Sequence, residues 1–147
     1  MKNKKEIAEL LPNKENFTLK KAAAASIWVR DFNIGNISSK QIIFGISSSA
    51  TPFSKNFINL KKINLINNSY FYMKNFIRKL PESIKVIIIH NRPHFFFILK
   101  KKFPGIKFII VFHNDPNTLR GSSTISEKIN ILEHCDKIVF VSSFIKI

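Results

Sequence analysis

The chain has 147 residues, of which 45% are hydrophobic, and a formal net charge of +15 from 24 Lys and Arg against 9 Asp and Glu. This length fits one domain with its own core, and the single cysteine, Cys135, excludes an internal disulfide and a zinc site built from several cysteines. The apolar runs are far shorter than the roughly 18 residues of a membrane-spanning helix, and the basic start lacks the apolar stretch of a signal peptide. We therefore expect one domain in a reducing compartment, with the cytoplasm as the default.

The first half of the chain predicts strands and helices in alternation. Short apolar runs closed by proline or glycine indicate strands, and alanine-rich or aromatic runs at helical spacing indicate helices. The predicted elements are a strand at Ile7 to Leu11, a polar loop, a helix at Lys21 to Phe32, a strand at Gln41 to Gly45, a strand at 57–66 and an amphipathic helix at 69–80.

The second half alternates more clearly. Its predicted elements are a strand at Val86 to Ile89, a helix from Pro93 to the Pro104 and Gly105 break, a strand at Phe108 to Phe112, a helix opened by a Thr124 and Glu127 capping box, and a strand at Lys137 to Val141. Fully apolar strands separated by helices are typical of parallel sheets. We therefore predict an α/β, Rossmann-like fold with a parallel sheet covered by helices on both faces.

Polar clusters follow the predicted strands where a fold of this class binds its ligands. "NKENFT" follows the first strand, and "HNRP", "HNDP" and "SSF" follow the last three. In an open parallel sheet, ligands bind in the crevice outside the carboxyl ends of the strands. We therefore expect His90, His113 and Ser142 to lie at one edge of the sheet.

Several segments together resemble a known family. The ordered segments "LLPNKENFT…AAAASIWVRDF", "IIHNRP" and "KFIIVFHNDP…RGSSTISEKINILEHCDKIVFVSSFIK" resemble the N-terminal domain of family 4 glycosyltransferases of the GT-B fold, especially bacterial enzymes of envelope polysaccharide and lipopolysaccharide assembly. The likeness covers nearly the whole chain and is most specific in its C-terminal third. It implies transfer of a sugar from a nucleotide-sugar donor to a saccharide or lipid-linked acceptor in the cytoplasm, at the inner face of the membrane, with no metal or other cofactor.

The resemblance also implies a domain organisation. Residues 1–147 would form the N-terminal, acceptor-side domain, while the donor nucleotide is held mainly by a C-terminal domain that this chain lacks, together with the family's glutamate-pair motif. We therefore expect a truncated chain that is inactive by itself. Ala22 to Ala25 stand where the family usually has glycines, which makes close backbone approach to a phosphate harder.

The resemblance assigns a catalytic role to His113, which would hydrogen-bond the donor sugar across an interdomain cleft. The alternative is a loop histidine that bonds to backbone. Asp115 beside Pro116 could equally be a turn former, and Arg120 could be a solvated loop residue. The candidates for contact with acceptor or donor are Glu15, Asn16, His90, Arg92, Asn114, Asp115, Arg120, Ser142 and Ser143.

Metal and nucleic-acid sites are less well supported. His90 and His94 have the spacing of a zinc pair, but Pro93 between them marks a strand-to-helix junction, so one helical face cannot present both. The lysines are dispersed, as a coding bias would scatter them, and no nucleic-acid-binding signature or phosphate loop is present. A non-catalytic basic α/β module that binds nucleic acid or a nucleotide is the alternative function. We expect no metal, no nucleic acid, and salt-dependent attraction to an anionic membrane surface.

Overall fold

The computed structural model describes residues 4–19, 22–36, 40–48, 51–60 and 69–143. The chain divides into two compact units, Met1–Ile84 and Lys85–Ile147. The described residues contain six strands, each paired in parallel with a neighbour, and a helix follows four of the first five strands along the chain. The predicted α/β, Rossmann-like class is confirmed.

The first unit is a parallel sheet with strand order β3-β2-β1. Its elements are β1 (Ile7–Leu10), α1 (Ala24–Asn36), β2 (Gln41–Gly45), β3 (Phe57–Asn59) and α2 (Ser69–Lys79). Helix α1 begins and ends later than predicted. The strand predicted at 57–66 is observed only over β3, and residues 61–68 of that prediction lie outside the described residues.

Helices cover both faces of this first sheet. Ile43 belongs to a buried cluster with Leu11 and with Val29 of α1. Phe44, the next residue of β2, packs its ring edge-on against Phe76 of α2, with ring centroids 4.9 Å apart. Because successive strand residues point to opposite faces of a sheet, α1 and α2 lie on opposite sides, as predicted.

The second unit is a parallel sheet with strand order β4-β5-β6. Its elements are β4 (Val86–His90), α3 (Pro93–Lys102), β5 (Lys107–Phe112), a 3-10 helix (Pro116–Thr118), α4 (Ile125–His134) and β6 (Lys137–Phe140). The predicted capping box is confirmed. The Thr124 hydroxyl accepts from the Glu127 amide at 3.2 Å, and the Glu127 carboxylate accepts from the Thr124 amide at 3.1 Å.

Strand register places the predicted polar residues of this unit at one edge. His90 is paired with Val111, and Phe112 is paired with Phe140. The chain therefore leaves all three strands at the same end, and His90, His113 and Ser142 lie at or just beyond it, which confirms the predicted placement. None of the helices in the described part of the chain has the length and apolar character needed to cross a membrane.

Candidate site at the ends of β4 and β5

Asn91 joins the ends of the two central strands of the second unit. It follows β4 directly, is only 4% exposed, and has a positive φ of 54°. Its side-chain Oδ1 accepts hydrogen bonds from the amides of His113 and Asn114, each at 3.2 Å, and its own amide donates to the Val111 carbonyl at 2.9 Å. This clamp fixes the backbone that carries His113.

Asn91 was not among the site residues predicted from the sequence. The signal was nevertheless available, because asparagine is among the few residues that adopt the left-handed region readily, and Asn91 stands between an apolar strand and a helix-starting proline. What the sequence could not supply is the partner, since His113 and Asn114 lie 22 and 23 residues further along the chain.

Two imidazoles meet at this clamp. Nδ1 of His90 lies 3.0 Å from Nε2 of His113, which is hydrogen-bond distance, and their ring centroids are 5.4 Å apart. His90 is fully buried, whereas His113 is half-buried. One imidazole is therefore part of the core and the other lies at its boundary.

His113 is held in its neutral form. Burial, and secondarily the neighbouring His90, lowers the pKa of His113 from 6.5 to about 4. At neutral pH one of its two ring nitrogens carries a proton and the other does not, so the ring can donate one hydrogen bond and accept another. This is a suitable group for an uncharged polar ligand such as a sugar.

A second histidine lies at the start of α3 beside two arginines. Burial, followed by the positive charge of Arg120, lowers the pKa of His94 to about 4, and Arg92 acts in the same direction. Gly121 packs against this helix start with a φ of 94°, and a Cβ there would lie 2.4 Å from the His94 amide nitrogen. The structure thus brings Arg92, His94 and Arg120 together at one end of α3.

The remaining candidates of this unit serve the loops. The Asp115 carboxylate accepts from the Asn117 amide at 2.9 Å and so caps the 3-10 helix, the contact expected of a turn former. Asn114 is exposed, with its amide bonded to Asn91. Ser142 and Ser143 follow β6 at the same edge of the sheet as His113.

The candidates of the first unit have structural contacts of their own. The Glu15 carboxylate accepts from the Ser26 amide at 3.3 Å, which places it on the first turn of α1. Asn16 forms an isolated parallel bridge with Ile46, and its side-chain Oδ1 is buried. The Glu15 carboxylate is favourable beside the first turn of α1 because the helix N-terminus carries partial positive charge.

Metal-ligating groups are sparse in the described part of the chain. Within it, no three or more His, Cys, Asp or Glu residues are arranged to hold a metal ion. Comparison of the chain with protein-family models, curated proteins and solved structures gives no match. The geometry at the ends of β4 and β5 is therefore the main structural indication of function.

Proposed function

We propose that the chain is the N-terminal, acceptor-side domain of a GT-B glycosyltransferase of family 4. The enzyme would transfer a sugar from a nucleotide-sugar donor to a saccharide or lipid-linked acceptor in bacterial envelope polysaccharide or lipopolysaccharide assembly. The observation that carries the proposal is the neutral imidazole of His113, held at the carboxyl end of β5 by the Asn91 clamp and paired with His90. Such a site occupies the place where parallel α/β folds bind ligands.

The chemistry asked of His113 is a hydrogen bond to the transferred sugar. In glycosyl transfer an acceptor hydroxyl oxygen bonds to the anomeric carbon, the bond to the nucleotide phosphate breaks, and positive charge develops on the sugar. A neutral imidazole can bond a sugar oxygen without adding a second positive charge beside that centre. A clamped backbone would hold the ring in one place, so little reorganisation is needed at the moment of reaction.

The other parts of the enzyme follow from the same proposal. A C-terminal domain would hold the donor nucleotide, no metal or other cofactor is required, and the chain alone would be inert. Arg92 and Arg120 are placed to meet an acceptor phosphate, because both lie near His94 at the edge that carries His113.

A peripheral location at the cytoplasmic face of the membrane belongs to this proposal. Helix α2 contains no acidic residue and exposes Tyr70 and Phe71, 65% and 39% exposed, beside exposed Lys74 and Arg78. Aromatic and basic side chains on one surface are suited to anionic headgroups, at about 1 kcal/mol for each well-placed cation. Co-sedimentation with liposomes should require anionic lipid and weaken in salt. Binding that is indifferent to both would contradict this location.

The test of the function is steady-state transfer from a panel of nucleotide sugars to saccharide and lipid-linked acceptors. We expect transfer from a polypeptide in which this domain is followed by a donor-binding domain, and none from the 147 residues alone. Robust transfer by the isolated chain would contradict the proposal that a second domain is needed to bind the donor. Absence of transfer, with salt-dependent binding of an oligonucleotide, would favour the basic binding module instead.

A further inference from the structure

His90 is buried in the second unit and lies in contact with His113. It is the last residue of β4 and is 0% exposed, so its ring belongs to the core of the second unit. Its Nδ1 lies 3.0 Å from Nε2 of His113. The remaining ring nitrogen of His113, Nδ1, is the one that His90 does not engage.

The hydrogen bond between these two ring nitrogens can run in either of two directions. Either His113 donates from Nε2, which leaves its Nδ1 as an acceptor, or His90 donates from Nδ1, which places the proton of His113 on Nδ1. The first arrangement makes His113 a base toward a ligand. The second makes it a hydrogen-bond donor.

We propose that His90 is a positioning residue that donates from Nδ1 to Nε2 of His113 and so fixes His113 as an Nδ1–H donor. This inference rests on the proposed function, in which His113 bonds to an oxygen of the transferred sugar. A donor aimed at that oxygen requires a proton on the nitrogen that His90 does not engage, and only the second arrangement supplies it. Both rings then carry their proton on Nδ1.

A fixed proton on Nδ1 limits the groups that His113 can recognise. A fixed N–H donor recognises an oxygen lone pair, such as that of a sugar hydroxyl or ring oxygen. It does not remove a proton from the attacking acceptor hydroxyl, so that proton goes to another group. His113 is therefore a donor that orients and stabilises the sugar, and it is not the general base of the transfer.

The tautomers can be read directly from the 147-residue protein by long-range ¹H–¹⁵N correlation of its imidazole rings at pH 7. We expect His90 and His113 each to show a protonated Nδ1 and a bare Nε2. His134 is an internal reference, because its Nδ1 lies 3.0 Å from the Asn130 carbonyl, which can only accept. A wild-type His113 protonated on Nε2, or divided between both forms, would overturn the proposal.

Two variants test the cause. His90→Asn keeps an N–H donor near the position of Nδ1 and should leave His113 protonated on Nδ1. His90→Phe keeps a ring and removes the donor, so the single Nδ1–H signal of His113 should be lost while that of His134 stays. An unchanged His113 signal in a folded His90→Phe protein would show that His90 does not set the tautomer. The wild-type spectrum decides the tautomer even if a variant does not fold.

The spectra also separate this inference from the proposed function. They need no donor domain and no substrate. If the tautomers are as expected but no sugar transfer is found, the proposed function is rejected and the role of His90 in setting the His113 tautomer is retained. If transfer is found with His113 protonated on Nε2, the function remains and His113 is free to act as a base, which contradicts the inference.

Discussion

The loop after β1 and the loops after β4 and β5 start alike, because each follows the carboxyl end of a buried parallel strand and each is rich in polar residues. In the first unit two of those side chains bond within the scaffold. Glu15 accepts from the first turn of α1, and Asn13 donates to the Ser69 hydroxyl at 3.2 Å. Phe17 anchors the loop in the core, packed against Phe53 and Phe57.

In the second unit the polar groups bond to one another. Asn91 binds the two amides after β5, and the rings of His90 and His113 meet at hydrogen-bond distance. The ring of His113 is thereby held half-buried and neutral. The carboxyl end of a parallel strand is therefore a position where a ligand-binding site can form. Whether one does form depends on whether its polar side chains are already bonded within the scaffold.

The largest expected effect on stability comes from backbone contact in the second unit. Gly121→Ala should lower the free energy of unfolding by roughly 3 kcal/mol or more, because the new methyl meets the His94 backbone in a left-handed conformation. In the first unit, the nearest atoms to a Cβ on Gly45 belong to the Leu11 and Phe57 side chains, at 3.0 and 3.1 Å, and these side chains can shift. Gly105→Ala is the control, since nothing lies within 4 Å of its Cβ.

Urea unfolding of these three variants at pH 7 should give costs in the order Gly121, Gly45, Gly105. Equal costs at Gly121 and Gly105 would show that the loop does not close on α3 as described.

The Asn91 clamp should rank next. Asn91→Ala leaves two amides without their acceptor and strains a positive φ, so we expect a loss of about 2–3 kcal/mol in the free energy of unfolding. Asn91→Gly removes the acceptor without the strain and should cost less. Asn91→Asp keeps an acceptor and should cost least. A series in which glycine is the worst replacement would contradict the clamp.

Stability should depend on pH through the second unit, because all four histidines follow residue 85. The unfolded chain binds protons near pH 6.5, whereas folded His94 and His113 stay neutral until their pKa of about 4. The free energy of unfolding should therefore be greatest above pH 6.5 and decrease as the pH falls from 6.5 to about 4.

Chemical denaturation across this range should show the decrease. His94→Asn and His113→Asn should each flatten the curve, and the double variant should flatten it further. A wild-type protein that gains stability on acidification through this window would reverse the sign and refute the buried neutral rings.

The smallest expected difference in stability is between the helix caps of the two units. Thr124→Ala should cost about 1 kcal/mol in the free energy of unfolding, because it removes the hydroxyl that accepts from the Glu127 amide. Glu15→Gln, which removes only the charge at the start of α1, should cost about 0.5 kcal/mol. Thermal melts compare the two, and a larger cost at Glu15 would mean that its carboxylate contributes more than a cap.

The strands and caps were predictable because they are local patterns. Phe108 to Phe112 is a continuous apolar run, and Thr124 with Glu127 lies within one helical turn, so both were found from the sequence. The edge that carries His113 followed from parallel pairing. The buried Glu9 was not anticipated, because its bond to Asn33 at 3.4 Å joins β1 to the far end of α1.

The side-chain contacts of the site depend on the register between the strands. Whether His90 meets His113 depends on the pairing of His90 with Val111, which no local pattern reports. A shift of one residue between the strands would turn the side chains to opposite faces. The sequence therefore predicted which residues share an edge, and only the structure supplied which of them touch.

Turnover of His113→Ala, measured against Thr124→Ala in a polypeptide that also carries a donor-binding domain, tests the central claim most directly. We expect His113→Ala to lower transfer by roughly 10²-fold, the scale of losing one preorganised donor, while the protein stays folded because His113 lies at a loop edge. Thr124→Ala should alter turnover little and lower the free energy of unfolding by about 1 kcal/mol. Near-normal transfer by a folded His113→Ala enzyme would reduce the histidine to a structural loop residue and contradict the proposed site.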